Sequence, residues 1–192
     1  MAHVKVVRRS MRPEEWTDLR FVWLQRGIYE EKFEITDLEI RDARQISEYQ
    51  YEYYSDEYRP LKKDDMYFTP DGTAFIRGHV QIPAHMKGKN IYFTLHTAAE
   101  MIVKINGKYV GGVDPNRERI LLNPYIDSDD LTIEIEAYNR SKPDDERNPA
   151  SLAHRGCRQI FEGAYLATIR DNVQSLVSVS YTHLTLPTKL EV

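Results

Sequence analysis

The stretch TAFIRGHVQIPAHMKGKNIYFTLHTAAEMIVKINGKYVGG, residues Thr73 to Gly112, decides the fold. Phe75, Arg77, His79 and Gln81 alternate with Ala74, Ile76, Gly78, Val80 and Ile82, the period of a strand with one buried face. Pro83 closes that run, because it has no N–H to offer a ladder. Lys87-Gly88-Lys89-Asn90 reads as a polar turn, and Ile91 to Leu95 as the next strand. Met101 to Ile105 then runs into Asn106-Gly107, a pair that favours a type I′ hairpin because both positions tolerate φ > 0, and Lys108-Tyr109-Val110 returns. The stretch holds no nucleophile beside a base, no metal-ligand spacing and no phosphate-cradling glycine loop. Spacing alone predicts an antiparallel β-sandwich.

On the amino-terminal side, Pro13-Glu14-Glu15 has the chemistry of a helix start, and Trp16, Leu19, Val22 and Trp23 follow at spacings of three and four, with Gly27 as the stop. Such a stripe is a packing face. Lys32 to Ala43 reads as one strand with a bend or bulge at Thr36-Asp37. Tyr49, Tyr51, Tyr53, Tyr54 and Tyr58 make an aromatic row whose rings can either stack on sugars or cover a sheet. Arg59 to Pro70 is a polar connection.

On the carboxyl-terminal side, Gly111 to Asn116 reads as a surface loop, Arg119 to Leu122 as a short strand, Asp127 to Asp130 as an acidic turn and Leu131 to Tyr138 as the last strand of the sandwich. The acidic turn lacks the distal glutamate of a calcium loop and reads as solvated. Ser141 to Pro149 is an exposed boundary, Cys157 to Thr168 an edge strand, and Asp171 the N-cap of a helix with no room to finish.

Of the 192 residues 41% are apolar, enough for a core, and a net charge of −4 with pI near 5.9 gives no basic field for nucleic acid or an anionic membrane. Cys157 is the one cysteine, so no internal disulfide forms. No run reaches the roughly 18 apolar residues of a membrane span, and the basic amino end has no hydrophobic core of a signal peptide. A cytoplasmic location is the expectation. Asp64-Asp65 and Asp144-Asp145 lie in polar linkers, where nothing raises one pKa of the pair, so neither is assigned to acid/base work and no catalytic residue is assigned. The loop at the sandwich end offers Asp114, Asn116 and Arg117 as carbohydrate-binding groups, a carboxylate, an amide and a guanidinium suited to sugar hydroxyls. The alternative is a loop packed against a neighbouring domain.

Val179 to Thr188, VSYTHLTLPT, resembles a translated transposon-type sequencing adapter. The expectation is that residues 179–192 are a non-native tail, that His183 is no ligand, and that the natural frame continues past about Ser178.

The order of features resembles the region ahead of the catalytic domain in glycoside hydrolase family 38, the α-mannosidases. The residues that carry it are Phe75 to Pro83, Gly88 to Phe93, Glu100 to Lys108, Gly111 to Asn116, and Ala164-Tyr165-Leu166-Ala167 followed by Asp171. Sandwiches attached to β-galactosidase-like and rhamnosidase-like enzymes share the strand, the Asn-Gly turn and the Gly-Gly-x-Asp loop. The resemblance implies a mostly β, galactose-binding-like antiparallel sandwich of jelly-roll type, with an N-terminal helical segment and a short C-terminal helix start. It divides the chain into residues 1–59 (helix, strand and tyrosine-rich segment), 60–142 (sandwich core), 143–178 (lead-out to a catalytic domain) and 179–192 (tail). It also implies a parent enzyme that hydrolyses α-mannosides with zinc in its catalytic domain, which is this segment's partner, and an oligomer formed through the parent. No cofactor is expected in this chain: the family's His-x-Asp zinc element is missing, since none of the six histidines has Asp two places on. The alternatives are a stand-alone carbohydrate-binding or adaptor sandwich and an ancillary domain of another glycosidase.

Overall fold

The computed structural model describes residues 27–67, 72–96, 99–114, 117–138 and 159–185, together with Leu24. The tryptophan stripe, Ser141 to Pro149, Asp144-Asp145 and Cys157 lie outside them. The chain divides into two compact units, Glu31–Thr168 and a second made of Met1–Glu30 with Ile169–Val192.

The first unit is built on two main sheets. Its strands are β1 (Tyr29–Ile35), β2 (Asp37–Ser47), β3 (Gln50–Tyr53), β4 (Arg59–Pro60), β5 (Met66–Tyr67), β6 (Thr73–Gln81), β7 (Tyr92–Leu95), β8 (Glu100–Ile105), β9 (Lys108–Val113), β10 (Arg119–Leu121), β11 (Asp130–Tyr138), β12 (Gln159–Ile160) and β13 (Ala164–Ile169). A seven-stranded sheet runs β3-β2-β6-β11-β8-β9, with β4 also on β2; a four-stranded sheet runs β1-β13-β7-β10; β12 and β5 form a small pair. The large sheet thus takes strands from both sides of position 59/60.

Sequence periodicity explains the core. In β11, Leu131, Ile133, Ile135 and Ala137 are buried while Thr132, Glu134 and Glu136 face out. Ile133 lies opposite Gly78 and Ile105, and Ile135 opposite Ile76 and Val103, so three neighbouring strands present their apolar sides together. Phe93 and Leu95 of β7 and Leu166 of β13 join them in one buried cluster drawn from both sheets. That is a β-sandwich, as the alternation predicts. Each of the Leu, Ile, Val and Phe side chains contributes about 1.5–3 kcal/mol by leaving water.

The Asn106-Gly107 turn has φ of 50° and 74°, as a type I′ hairpin requires. Asn106 does more than turn the chain. Its Oδ1 accepts the Thr132 N–H (2.8 Å), and its backbone N–H donates to the Thr132 carbonyl (2.9 Å), joining the hairpin to the start of β11.

Four expectations need correction. The single strand over Lys32 to Ala43 is two strands, broken at Thr36, because the chain there passes from the small sheet to the large one. Cys157 to Thr168, expected as an edge strand, holds two strands: β12 pairs only with β5, whereas β13 lies inside the small sheet between β1 and β7, and its burial from Leu166 through Ile169 suits that position. Gly111 and Gly112 continue β9 instead of starting a loop, with a register shift beside Val103 and Lys104. The helix at Asp171 is α1 (Asp171–Thr185), fifteen residues long.

In the second unit, Gly27 N–H bonds to the Leu24 carbonyl, and Arg170 Nη1 donates to the carbonyls of Gly27 (2.9 Å) and Tyr29 (2.6 Å). Gln174 N–H then bonds to the Arg170 carbonyl, so the helix takes its first bond from Arg170, with Asp171 in the first turn.

Candidate functional site

The outer face of the large sheet carries the tyrosine row. Glu39 and Arg41 on β2, Phe75 and Arg77 on β6, and Glu134 and Glu136 on β11 share this face, since Glu39 and Glu134 both lie opposite Arg77, and Arg41 and Glu136 both opposite Phe75. Arg77 is bound to Glu39 through Nε (2.8 Å) and Nη2 (2.7 Å). The Arg41 guanidinium lies 3.6 Å from the Tyr53 ring centroid and 4.8 Å from that of Tyr58, and Arg77 lies 4.0 Å from Tyr58. Tyr51 meets Phe75 edge-on at 4.9 Å, and Tyr53 meets it at 5.6 Å. Among the described residues Arg41 Nε is buried without a hydrogen-bond acceptor, and the ring quadrupoles stabilise the guanidinium. Of the two uses open to these rings, Tyr51, Tyr53 and Tyr58 serve the second: they cover the sheet. Tyr49, at 84% exposure, and Tyr54 remain in solvent.

The Tyr51 hydroxyl donates to Glu136, which raises the phenol from 10.0 to about 12, since ionising it would place two anions together.

The predicted loop group is divided. Asp114 and Arg117 are brought together, whereas Asn116 lies outside the described residues. Asp114 N–H donates to the Arg117 carbonyl (3.0 Å), Arg117 N–H donates back to the Asp114 carbonyl and to Oδ1 (3.0 Å each), and Arg117 Nε stands 3.4 Å from Oδ2. The carboxylate therefore closes its own turn, while the Arg117 side chain is 80% exposed.

A concave site lies where the chain changes sheets. A cleft of about 640 Å³ is bounded by Phe33, Glu34, Thr36 and Asp37 on one side and by His79 to Ala84 with Lys87 on the other. Val80 and Ile82, which adjoin it, are buried in the sandwich core. On its rim His79 Nε2 is paired with Asp130 and Lys87 Nζ with Asp129. Asp37 faces His79 in the β2–β6 register. Sequence reasoning missed this cleft, because its residues come from the β1–β2 crossing and from the end of β6, and no spacing links them.

Among the described residues no group of three or more His, Cys, Asp or Glu is placed to hold a metal ion. Asp65 accepts the Lys62 N–H (2.8 Å), closing a local turn in which Asp64 has φ 69°. Asp127, in the acidic turn, accepts from Lys108 Nζ (2.9 Å) and Asn106 Nδ2 (3.1 Å), which hold its carboxyl below the ordinary value.

No family model and no curated protein matches the sequence. Among solved structures the chain is similar to three β-glucuronidases. For that of Faecalibacterium prausnitzii the identity is 12% and the TM-score 0.46, over 72% of this chain and 31% of that one. For a calcium-binding mutant of Bacteroides uniformis β-glucuronidase 2 they are 16% and 0.42, over 71% and 18%. For the enzyme of Dictyoglomus thermophilum they are 15% and 0.40, over 72% and 28%. The chain spans under a third of the length of each.

Proposed function

We propose that this chain is a non-catalytic ancillary β-sandwich of a glycosidase, and within that class the segment ahead of the catalytic domain of a family 38 α-mannosidase. One observation carries the proposal: the residues that resemble the family fall, in the family's order, on successive parts of one sandwich. Phe75 to Pro83 covers most of β6, Gly88 to Phe93 leads into β7, Glu100 to Lys108 is β8 with the turn into β9, and Ala164 to Ala167 opens β13.

In this role the sandwich supports a catalytic domain that carries the zinc and the carboxylates, in a cytoplasmic enzyme whose oligomer forms through the full-length parent. The residues after β13, up to about Ser178, then lead out of the sandwich, and residues 179–192 are foreign to the parent. The gene's nucleotide sequence tests this. A family 38 parent requires a His-x-Asp element within roughly a hundred residues after Ser178, about one domain's length. Its absence there overturns the α-mannosidase assignment.

A further inference from the structure

We propose that Asn106 is a self-modification site that the fold holds closed: its side-chain amide can cyclise onto the Gly107 nitrogen, and its bonds to Asp127 and Thr132 prevent this until the hairpin opens. The proposal goes beyond the ancillary role and does not depend on which enzyme the parent is.

The reaction needs only this pair of residues and water. The Gly107 backbone nitrogen gives up its proton and attacks Asn106 Cγ; the bond from Cγ to Nδ2 breaks, and ammonia leaves with the proton. Water then opens the five-membered imide at one carbonyl or the other, leaving aspartate or isoaspartate. A glycine in second place favours the attack, because no Cβ crowds the nitrogen. Asn106 is the one asparagine of the chain that precedes glycine. Gly107 is exposed, and a Cβ built on it meets nothing within 4 Å, so the turn is open to water.

The fold withholds the amide carbon. Cyclisation requires Asn106 Cγ to swing onto the Gly107 nitrogen, and both ends of the amide are tied elsewhere. Oδ1 accepts the Thr132 N–H (2.8 Å), while Nδ2 donates to Asp127 Oδ1 (3.1 Å) and stands 3.5 Å from the Asp130 carbonyl. These partners lie 21 to 26 positions further on, so the restraint exists only while β8 and β11 are paired.

The product does not fit the place that asparagine held. An aspartate at position 106 still accepts the Thr132 N–H, but it sets a carboxylate oxygen where Nδ2 had faced Asp127, bringing two anions together. Isoaspartate routes the backbone through the side-chain carbon and lengthens a two-residue turn whose register sets Ile105 opposite Lys108. Opening of the hairpin is thus recorded as a covalent change that opposes its closing.

Incubation of the full 192-residue chain at mildly alkaline pH, in buffer and in guanidinium chloride, tests the site. Peptide mass spectrometry locates the change from amide to acid, and isoaspartyl methyltransferase counts isoaspartate. Conversion at Asn106 should be about tenfold or more slower in the folded chain, the scale of two hydrogen bonds. Asp127→Ala, at an exposed position, should speed it in the folded chain about two- to tenfold and leave the unfolded rate unchanged. Asn106→Asp should lower the guanidinium midpoint. Three results overturn the proposal: equal rates in folded and unfolded chains, a folded rate that Asp127→Ala leaves unchanged, or an Asn106→Asp midpoint equal to that of the parent sequence. The first comparison needs no variant, so the test stands if Asp127→Ala does not fold. A His-x-Asp element in the parent gene changes none of these outcomes, so the two proposals fail separately.

Discussion

The Tyr51 hydroxyl donates to a carboxylate oxygen of Glu136, 85 residues further on, although β2 and β6 lie between their strands in the sheet. β3 therefore lays its side chains across the outer face instead of only extending the edge. The bond favours the neutral phenol, so between pH 10 and about 12 the folded chain holds a proton that the unfolded chain has lost. Stability from this bond is complete below pH 10 and is lost as pH rises through about 12. In Tyr51→Phe this alkaline loss disappears. Urea midpoints of both proteins measured across that interval check it, and parallel curves would refute the role of the bond.

Tyr58 is shared by two guanidiniums, Arg41 at 4.8 Å and Arg77 at 4.0 Å from its centroid. Tyr58→Leu keeps apolar cover but removes both cation–π contacts. The expected destabilisation is about 1–2 kcal/mol, at roughly 0.5–1 each. A double-mutant cycle with Arg41→Met reads the coupling directly, and no coupling would show that the ring only fills space.

Two glycines resist substitution for different reasons. A Cβ on Gly78 would stand 2.4 Å from the Asp37 carbonyl oxygen, where backbone must move, and Gly78→Ala should cost about 1–3 kcal/mol by overpacking. A Cβ on Gly107 meets nothing within 4 Å, but φ is +74°, so Gly107→Ala should cost about 1 kcal/mol through backbone strain alone. Thermal unfolding separates them.

Lys108 and Asn106 hold Asp127 ionised, Lys108 having the larger effect. A carboxyl held below its ordinary value contributes stability above that value, and the contribution is lost as pH falls through the lowered pKa. Lys108→Met should move the Asp127 midpoint up towards 3.8. Carbon-13 NMR titration of the carboxyl checks this, and an unmoved midpoint would assign the shift to Asn106.

Much of the sandwich was legible in the sequence, because burial on one face imposes a period of two that survives any arrangement of the strands. Asn106-Gly107 likewise fixed its own turn through local φ preferences. The break at Thr36 was less legible: a change of sheet and a bulge within one strand leave the same local irregularity. β13 misled in the opposite way, since Ala164 to Ile169 is short, and a short apolar run gives no sign of whether one neighbour or two will pair with it.

What the sequence determined by itself was therefore local: alternation, turns, and the absence of a His-x-Asp element. The tertiary structure decided everything that depends on strand neighbours. It set Arg41 against Tyr53 and Tyr58, and so turned a possible sugar platform into a cover for the sheet. It joined Asp114 to Arg117 within one turn. It brought Phe33 and Lys87, more than fifty positions apart, to the two sides of one cleft. The physical reason is common to all three: local conformation depends on adjacent residues, whereas contacts between side chains depend on which strands pair and in what register.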